Sequence, residues 1–374
     1  MLPNGGLMFP RRRIAAPLLA ACTAALLTLT ACGGGPDPAR GPTGAPAEVA
    51  IATSGTWITT FAPLWAAAPE MAEIEQKYGT TISYPGFGKG NDALTAMLGG
   101  SAAVCNCSFN TALKAALAKD QLAYVVNINK GAGTVAVAAT RFETERGTDI
   151  AAFDGGTWGF TSAGSISEIS LRLAAEHAGI DWSVQDTIAV GGMSAFVPAL
   201  QSGRVDIAMM DVASAAQAIE DGVGYPVLNT NDLSVFGPIG GTLLGNGLVL
   251  PEAFLNDYPE LSQDLVNAVV TGLGRVRDVT DPDELLALMP PGFREARADS
   301  PTFAREWAFT RPAFLSTDGS SSDQEFRDTT AHGDFGEGEL SSPRAGRFLD
   351  NSLVDQAYQQ LGLPRPVVEP QSTP

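Results

Sequence analysis

Residues 103–111 read AVCNCSFNT, with Cys105 and Cys107 separated only by Asn106. Two cysteines this close can hold a metal, form a disulfide or fill small buried space. A metal site needs further ligands, and the chain's 2 histidines, His177 inside a helical pattern and His332 in a polar run, lie far from the pair. If the run continues as a strand, Cys105 and Cys107 share one face and Asn106 takes the other. The preferred reading is therefore a pair of small buried residues at the wall of a pocket, with a disulfide open as an alternative outside the cell. No G-x-S-x-G nucleophile elbow occurs. Neither a G-x-x-x-x-G-K-[ST] nor a G-x-G-x-x-G phosphate loop is present, and GFGKGND at 86–92 fits neither spacing. The expectation is a protein that is not an enzyme and needs no cofactor or metal.

The elements that position these residues alternate. The runs VAIATS, TISY, AAVCN, LAYVVNIN and GTVAVAAT read as strands, with helical patterns such as APLWAAAPEMAEIEQKY, NDALTAMLG and TALKAALAKD between the first four. A second block repeats the order: TWGFTS, DTIAV and DIAMM each precede a helical run. Strand and helix alternating at this spacing argue for two α/β lobes, each a largely parallel sheet covered on both faces. GTLLGNGLVLP at 241–251 reads as a strand returning to the first sheet, followed by a helix from Pro259. The expected lobes are 48–141 with 240–374, and 142–239. From Pro282 onward the sequence gives helical pieces joined by polar loops. The acidic stretch HGDFGEGELSS is expected to wrap the first lobe, or else to shape the mouth of a cleft.

Ligands of open α/β sheets bind beyond the carboxyl ends of the strands. That rule selects Ser54, Thr56 and Trp57 after the first strand, Phe87 after the second, and Asn106 and Ser108 at the third. In the second block it selects Ser162, Ser165, Glu168 and Asp211. The hydroxyls and open helix ends suit a polar or anionic group, and Trp57 and Phe87 supply aromatic walls. Asp211 and Glu168 favour a ligand bearing an amine or protonated ring. The competing explanation is that the Ser, Thr and Asp residues only cap helices.

The chain opens with a basic head ending at Arg11, Arg12 and Arg13 and an uncharged apolar run to Ala31, the pattern of a secretory signal over 1–31. Leu29-Thr30-Ala31-Cys32 resembles the lipobox of bacterial lipoproteins, which implies cleavage before Cys32 and lipidation of that cysteine. Residues 32–47 are rich in Gly and Pro and read as a tether. No other segment is apolar and long enough to span a bilayer, so the body is expected outside the cytoplasm, held to the bacterial cell membrane only by its lipid. With 23 Lys+Arg against 41 Asp+Glu the net charge is −18, and loss of the leader's three arginines makes it −21. Such an acidic chain excludes nucleic acid as a partner and remains soluble, expected as a monomer.

Four stretches carry a family likeness: NDALTAMLGGSAAVCNCSFNTALKAALAKD, FDGGTWGFTSAGSISEISLRLAAEHAGI, MSAFVPALQSGRVDIAMMD and LVLPEAFLNDYPELSQDLVNAVVTGL. In order and spacing they resemble the solute-binding lipoproteins of ABC importers in the nitrate, sulfonate, taurine and thiamine-precursor group. The resemblance implies a type II periplasmic-binding-protein fold, two α/β lobes with a hinge and an interlobe cleft. It also implies a small-molecule ligand in the cleft and an ABC permease and ATPase as partners. A ligand-sensing or interaction lipoprotein on the same fold is the alternative. Family members more often carry Gly, Ser, Thr or Pro where Cys105 and Cys107 stand, which leaves the identity of the solute open.

Overall fold

The computed structural model describes residues 41, 43–118, 121–333 and 335–367. The signal 1–31, Cys32 and most of the tether fall outside the described residues. Among the described residues the alternating pattern folds into ten strands: β1 Glu48–Thr53, β2 Thr81–Ser83, β3 Val104–Ser108, β4 Leu122–Asn127, β5 Thr134–Ala139, β6 Thr157–Phe160, β7 Asp186–Ala189, β8 Ile207–Asp211, β9 Gly224–Asn229 and β10 Asn246–Pro251. They make two five-stranded sheets, ordered β2-β1-β3-β10-β4 and β7-β6-β8-β5-β9. In each sheet one strand, β10 or β5, runs antiparallel between parallel neighbours.

Both faces of the central strands are buried in both sheets, as period-two packing predicts. In β5, Val135, Val137 and Ala139 enter one core while Ala136 and Ala138 enter another. In β3, Val104 joins the core beneath the helix Pro259–Arg277, and Cys105 and Cys107 join the opposite one. β9 lies outside the expected strands and carries Pro226, a residue that central strands exclude. It forms at the sheet edge, where a residue without an N–H is tolerated.

The first lobe boundary also differs from expectation. β5 was assigned with the first lobe, up to residue 141, yet it pairs with β8 and β9 in the second sheet. The chain therefore crosses between β4 and β5 and returns between β9 and β10. The two crossings run side by side: Gly131 N donates to Leu243 O (2.8 Å), Gly245 N to Asn129 O (3.1 Å) and Thr230 N to Thr134 O (3.1 Å). Gly131 has φ +95°, and a Cβ there would lie 2.7 Å from Thr230 O, so only glycine fits this close approach.

The C-terminal region does more than wrap the first sheet. Asn229 and Asn231, beside the return crossing, both donate to Phe309 O at 3.0 Å. The helix Asp323–Ala331 lies on the crossings themselves: Leu244 N donates to Thr329 Oγ1 (2.9 Å), and Lys130 Nζ pairs with Glu325 at 2.6 Å. Arg172, on the second-sheet helix Ile166–His177, donates to His332 O (3.0 Å). The region thus bonds both sheets and the crossings between them.

Lys130 is 3% exposed, and its ammonium is paired with Glu325. Glu325→Gln keeps the capping contact with Ser322 but strands the buried ammonium, and should cost about 3 kcal/mol in urea unfolding, with much of it recovered by adding Lys130→Met. Burial first, then Arg172, lowers the His332 pKa below its ordinary 6.5. A depressed histidine contributes stability that is present above 6.5 and lost as pH falls toward the folded value. His332→Gln should therefore flatten the decline of melting temperature below neutrality.

Candidate functional site

Register fixes where the strand ends meet. Ser108, last in β3, lies opposite Asn246, first in β10, and Asp211, last in β8, lies opposite Thr134, first in β5. Asn246 and Thr134 are the residues at which the chain leaves its two crossings. The carboxyl ends of the central parallel strands in both sheets therefore flank the paired crossings, which form the floor between them. That floor is polar and buried: Asn127, Asn129, Lys130, Thr134, Thr230 and Asn231 are each at most 6% exposed. Their groups are largely engaged locally, with Gly133 N donating to Asn231 Oδ1 (3.1 Å) and Asn246 N to Asn129 Oδ1 (3.1 Å).

On the first-sheet side, two loops converge. Phe87 N donates to Thr53 O at 2.9 Å, and a Cβ on Gly86 would fall 2.2 Å from Thr56 Oγ1, so the loops after β1 and β2 are in direct contact. Ser54, Thr56 and Ser108 have no side-chain hydrogen-bond partner among the described residues. Trp57 is half-buried, with its ring 5.0 Å from that of Trp65 in an edge arrangement, and is the one non-glycine residue with positive φ, +57°, among the described residues. Phe87 is half-buried against the core that holds the cysteines. Exposed Lys89 stands at the start of the helix Gly90–Leu98, which has no side-chain cap.

The second-sheet side divides differently. Asp211 accepts from Ala213 N (3.1 Å) and Ser214 N (3.0 Å), capping the helix Val212–Glu220. Ser165 accepts from Glu168 N (3.3 Å), and Glu168 turns back to accept from Gly164 N. Ser165 and Asp211 are thus helix N-caps, while Glu168 ties the turn that precedes its own helix. The hydroxyls of Ser162 and Ser194 have no side-chain hydrogen-bond partner among the described residues. The caps have an electrostatic consequence: two carboxylates, both only half-buried, occupy the positive helix ends that would otherwise attract an anion.

Asn106 and the cysteines lie deeper than a pocket wall. Cys105 and Cys107 are bonded to each other, with Cα atoms 5.3 Å apart, and pack with Phe109, Tyr124 and Val249. The alternative of a disulfide is the one realised, and it leaves no thiolate for a metal. Asn106 points to the opposite face, as alternation requires, and is 1% exposed with neither amide atom hydrogen-bonded. Sequence reasoning missed Arg297 and Glu306, which hold the Trp57 loop from the far end of the chain. It also missed Lys130, although the polar, glycine-containing run NINKGAG between two apolar strands is a visible signal.

A model of the NMT1-like family matches residues 45–286. No functionally curated protein matches the chain significantly. Among solved structures, the ligand-binding component of an ABC-type import system from Staphylococcus aureus, with zinc bound, is 14% identical with a TM-score of 0.66, covering 83% of this chain and 98% of that one. The alkanesulfonate-binding protein SsuA from Xanthomonas axonopodis pv. citri, bound to MOPS, is 16% identical with a TM-score of 0.58, covering 83% and 98%. The desulfurization enzyme DszB is also similar, at 13% identity and a TM-score of 0.52, covering 84% and 99%. At these identities the likeness is one of fold.

The capping geometry separates charge from structure at Asp211. Asparagine caps a helix as well as aspartate, so Asp211→Asn should leave unfolding free energy within about 0.5 kcal/mol of the parent, while Asp211→Ala should cost about 1 kcal/mol, both read by urea titration.

Proposed function

The chain belongs to the NMT1-like family and has the periplasmic-binding-protein fold, and from that premise we propose that it is a solute-binding component of an ABC importer. It captures a small organic solute between the two sheets and delivers it to a permease and its ATPase. Cys32 carries the lipid that holds it at the outer face of the bacterial cell membrane. What supports the reading is that Ser54 and Thr56 follow β1, Ser108 ends β3 and Ser162 follows β6, hydroxyls without a partner among the described residues, in sheets whose central strand ends flank the crossings. Polar groups placed this way fix the orientation of a ligand that the aromatic walls enclose.

The solute carries a nitrogen function. Glu168 and Asp211 face the cleft from helix ends they already neutralise, and the segments 161–165, 191–194 and 211–214 hold no lysine or arginine. An amine or protonated ring complements them; a sulfonate or nitrate does not. One feature favours a second reading: Lys89 at the uncapped start of Gly90–Leu98 suits an anion on the other side.

A thermal-shift panel on the body from residue 33, with taurine, ethanesulfonate, nitrate, thiamine and its aminopyrimidine precursor, tests this. A solute at a hundred times its Kd stabilises the fold by about 2.7 kcal/mol. The expected result is a shift from a solute with a cationic or protonatable nitrogen, thiamine or its aminopyrimidine precursor, that Asp211→Asn reduces at least tenfold in affinity. A shift from ethanesulfonate or nitrate that Asp211→Asn leaves intact selects the second reading, and no shift from any of the five counts against capture of these solute classes.

A further inference from the structure

The loop after β1 is held from outside the region that the family model matches. Arg297 donates to Trp57 O twice, through Nε at 3.3 Å and Nη2 at 3.1 Å, and its Nη1 pairs with Glu306 Oε1 at 3.0 Å. Glu306 is 1% exposed, and its carboxylate also accepts from Thr302 Oγ1 and from Thr59 Oγ1, each at 2.9 Å. Thr59 stands two residues after Trp57, so one carboxylate ties both the arginine and the chain beyond the loop. The next carbonyl, Ile58 O, accepts from Trp65 Nε1 at 2.8 Å. The Trp57 indole ring lies against Gly292, where a Cβ would fall 2.6 Å from Trp57 Cζ2. Gly292, Arg297 and Glu306 all follow residue 286, the end of the family match.

We propose that Arg297 and Glu306 are positioning residues that hold Trp57 in its left-handed conformation and so set the aromatic wall of the cleft. A left-handed tryptophan persists only where its surroundings over-determine it, and here the carbonyl, the ring and the following residue are each fixed. A wall held rigid before the solute arrives loses no conformational freedom on binding, which raises affinity without a new contact. The clamp stands on geometry alone; its effect on affinity rests on the solute-binding reading above.

The test labels the full chain with 5-fluorotryptophan, giving one fluorine resonance for each of the 5 tryptophans. The resonance lost in Trp57→Phe assigns Trp57. Arg297→Met and Glu306→Gln should shift and broaden that resonance while leaving those of Trp158 and Trp182, on the second-sheet side, in place. Arg297→Lys, which keeps charge but cannot donate twice to one carbonyl in the same plane, should give an intermediate spectrum. Gly292→Ala, which disturbs only the ring contact, provides a milder variant should the charge changes unfold the protein, and should also move the Trp57 signal. An unmoved Trp57 resonance in folded Arg297→Met and Gly292→Ala overturns the clamp. With taurine, ethanesulfonate and thiamine as probes, any that shifts the melting temperature of the parent should bind Arg297→Met at least fivefold more weakly; unchanged affinity overturns the link to binding. If none shifts the parent, the solute reading fails, and the fluorine spectrum still decides the clamp.

Discussion

The pairing of the two crossings is the constraint on which the rest of this structure depends. Each sheet is completed by a strand the chain delivers across the other: β5 arrives from the first sheet and β10 from the second. Two segments must therefore pass together through the interior, where every backbone donor needs an acceptor. They satisfy one another, through Gly131 with Leu243 and Gly245 with Asn129, while the helix Asp323–Ala331 accepts from Thr242 N and Leu244 N and Ala313 O accepts from Lys130 N. The buried Lys130–Glu325 pair follows from the same arrangement. A charge taken so far from water is tolerable only with its partner fixed beside it.

Because the central strand ends abut the crossings, the same constraint builds the cleft. Ser108 and Asp211 are held in equivalent places, each opposite the first residue of an exchanged strand. Their chemistry nevertheless diverges. Ser108 keeps its hydroxyl free of side-chain partners among the described residues, whereas Asp211 spends three hydrogen bonds on its own helix. A capped, negatively charged helix end repels the anions that an open one attracts. The helix starts of the two sheets therefore differ in sign, with Lys89 at one and Glu168 and Asp211 at others.

The C-terminal region connects these parts. Its helices bond the Trp57 loop, the crossings and both sheets, so the conformation of that loop is coupled to residues more than two hundred positions away. A left-handed residue other than glycine costs about 1–2 kcal/mol. Two hydrogen bonds from Arg297 and a flat glycine under the ring supply the compensation at Trp57. Arginine suits the task because its planar fork can present two donors to a single carbonyl, which an ammonium cannot do in the same plane.

By itself the sequence determined the alternation of strand and helix, nine of the ten strands, and the faces of β3, because periodicity and strand length are local properties. It also located the strand ends, since the small polar residues there break apolar runs that are visible without a structure. Only tertiary structure decided which sheet β5 joins, since an apolar run such as TVAVAA carries no record of its partner. It decided that Pro226 sits in an edge strand, and that Ser165, Glu168 and Asp211 spend hydrogen bonds on helix caps, because a cap and a ligand contact use the same residue types. Glu306 was the least legible of all. A single acid in a helical run reads as a solvated face until the fold brings Thr59, Thr302 and Arg297 around it and closes off the water.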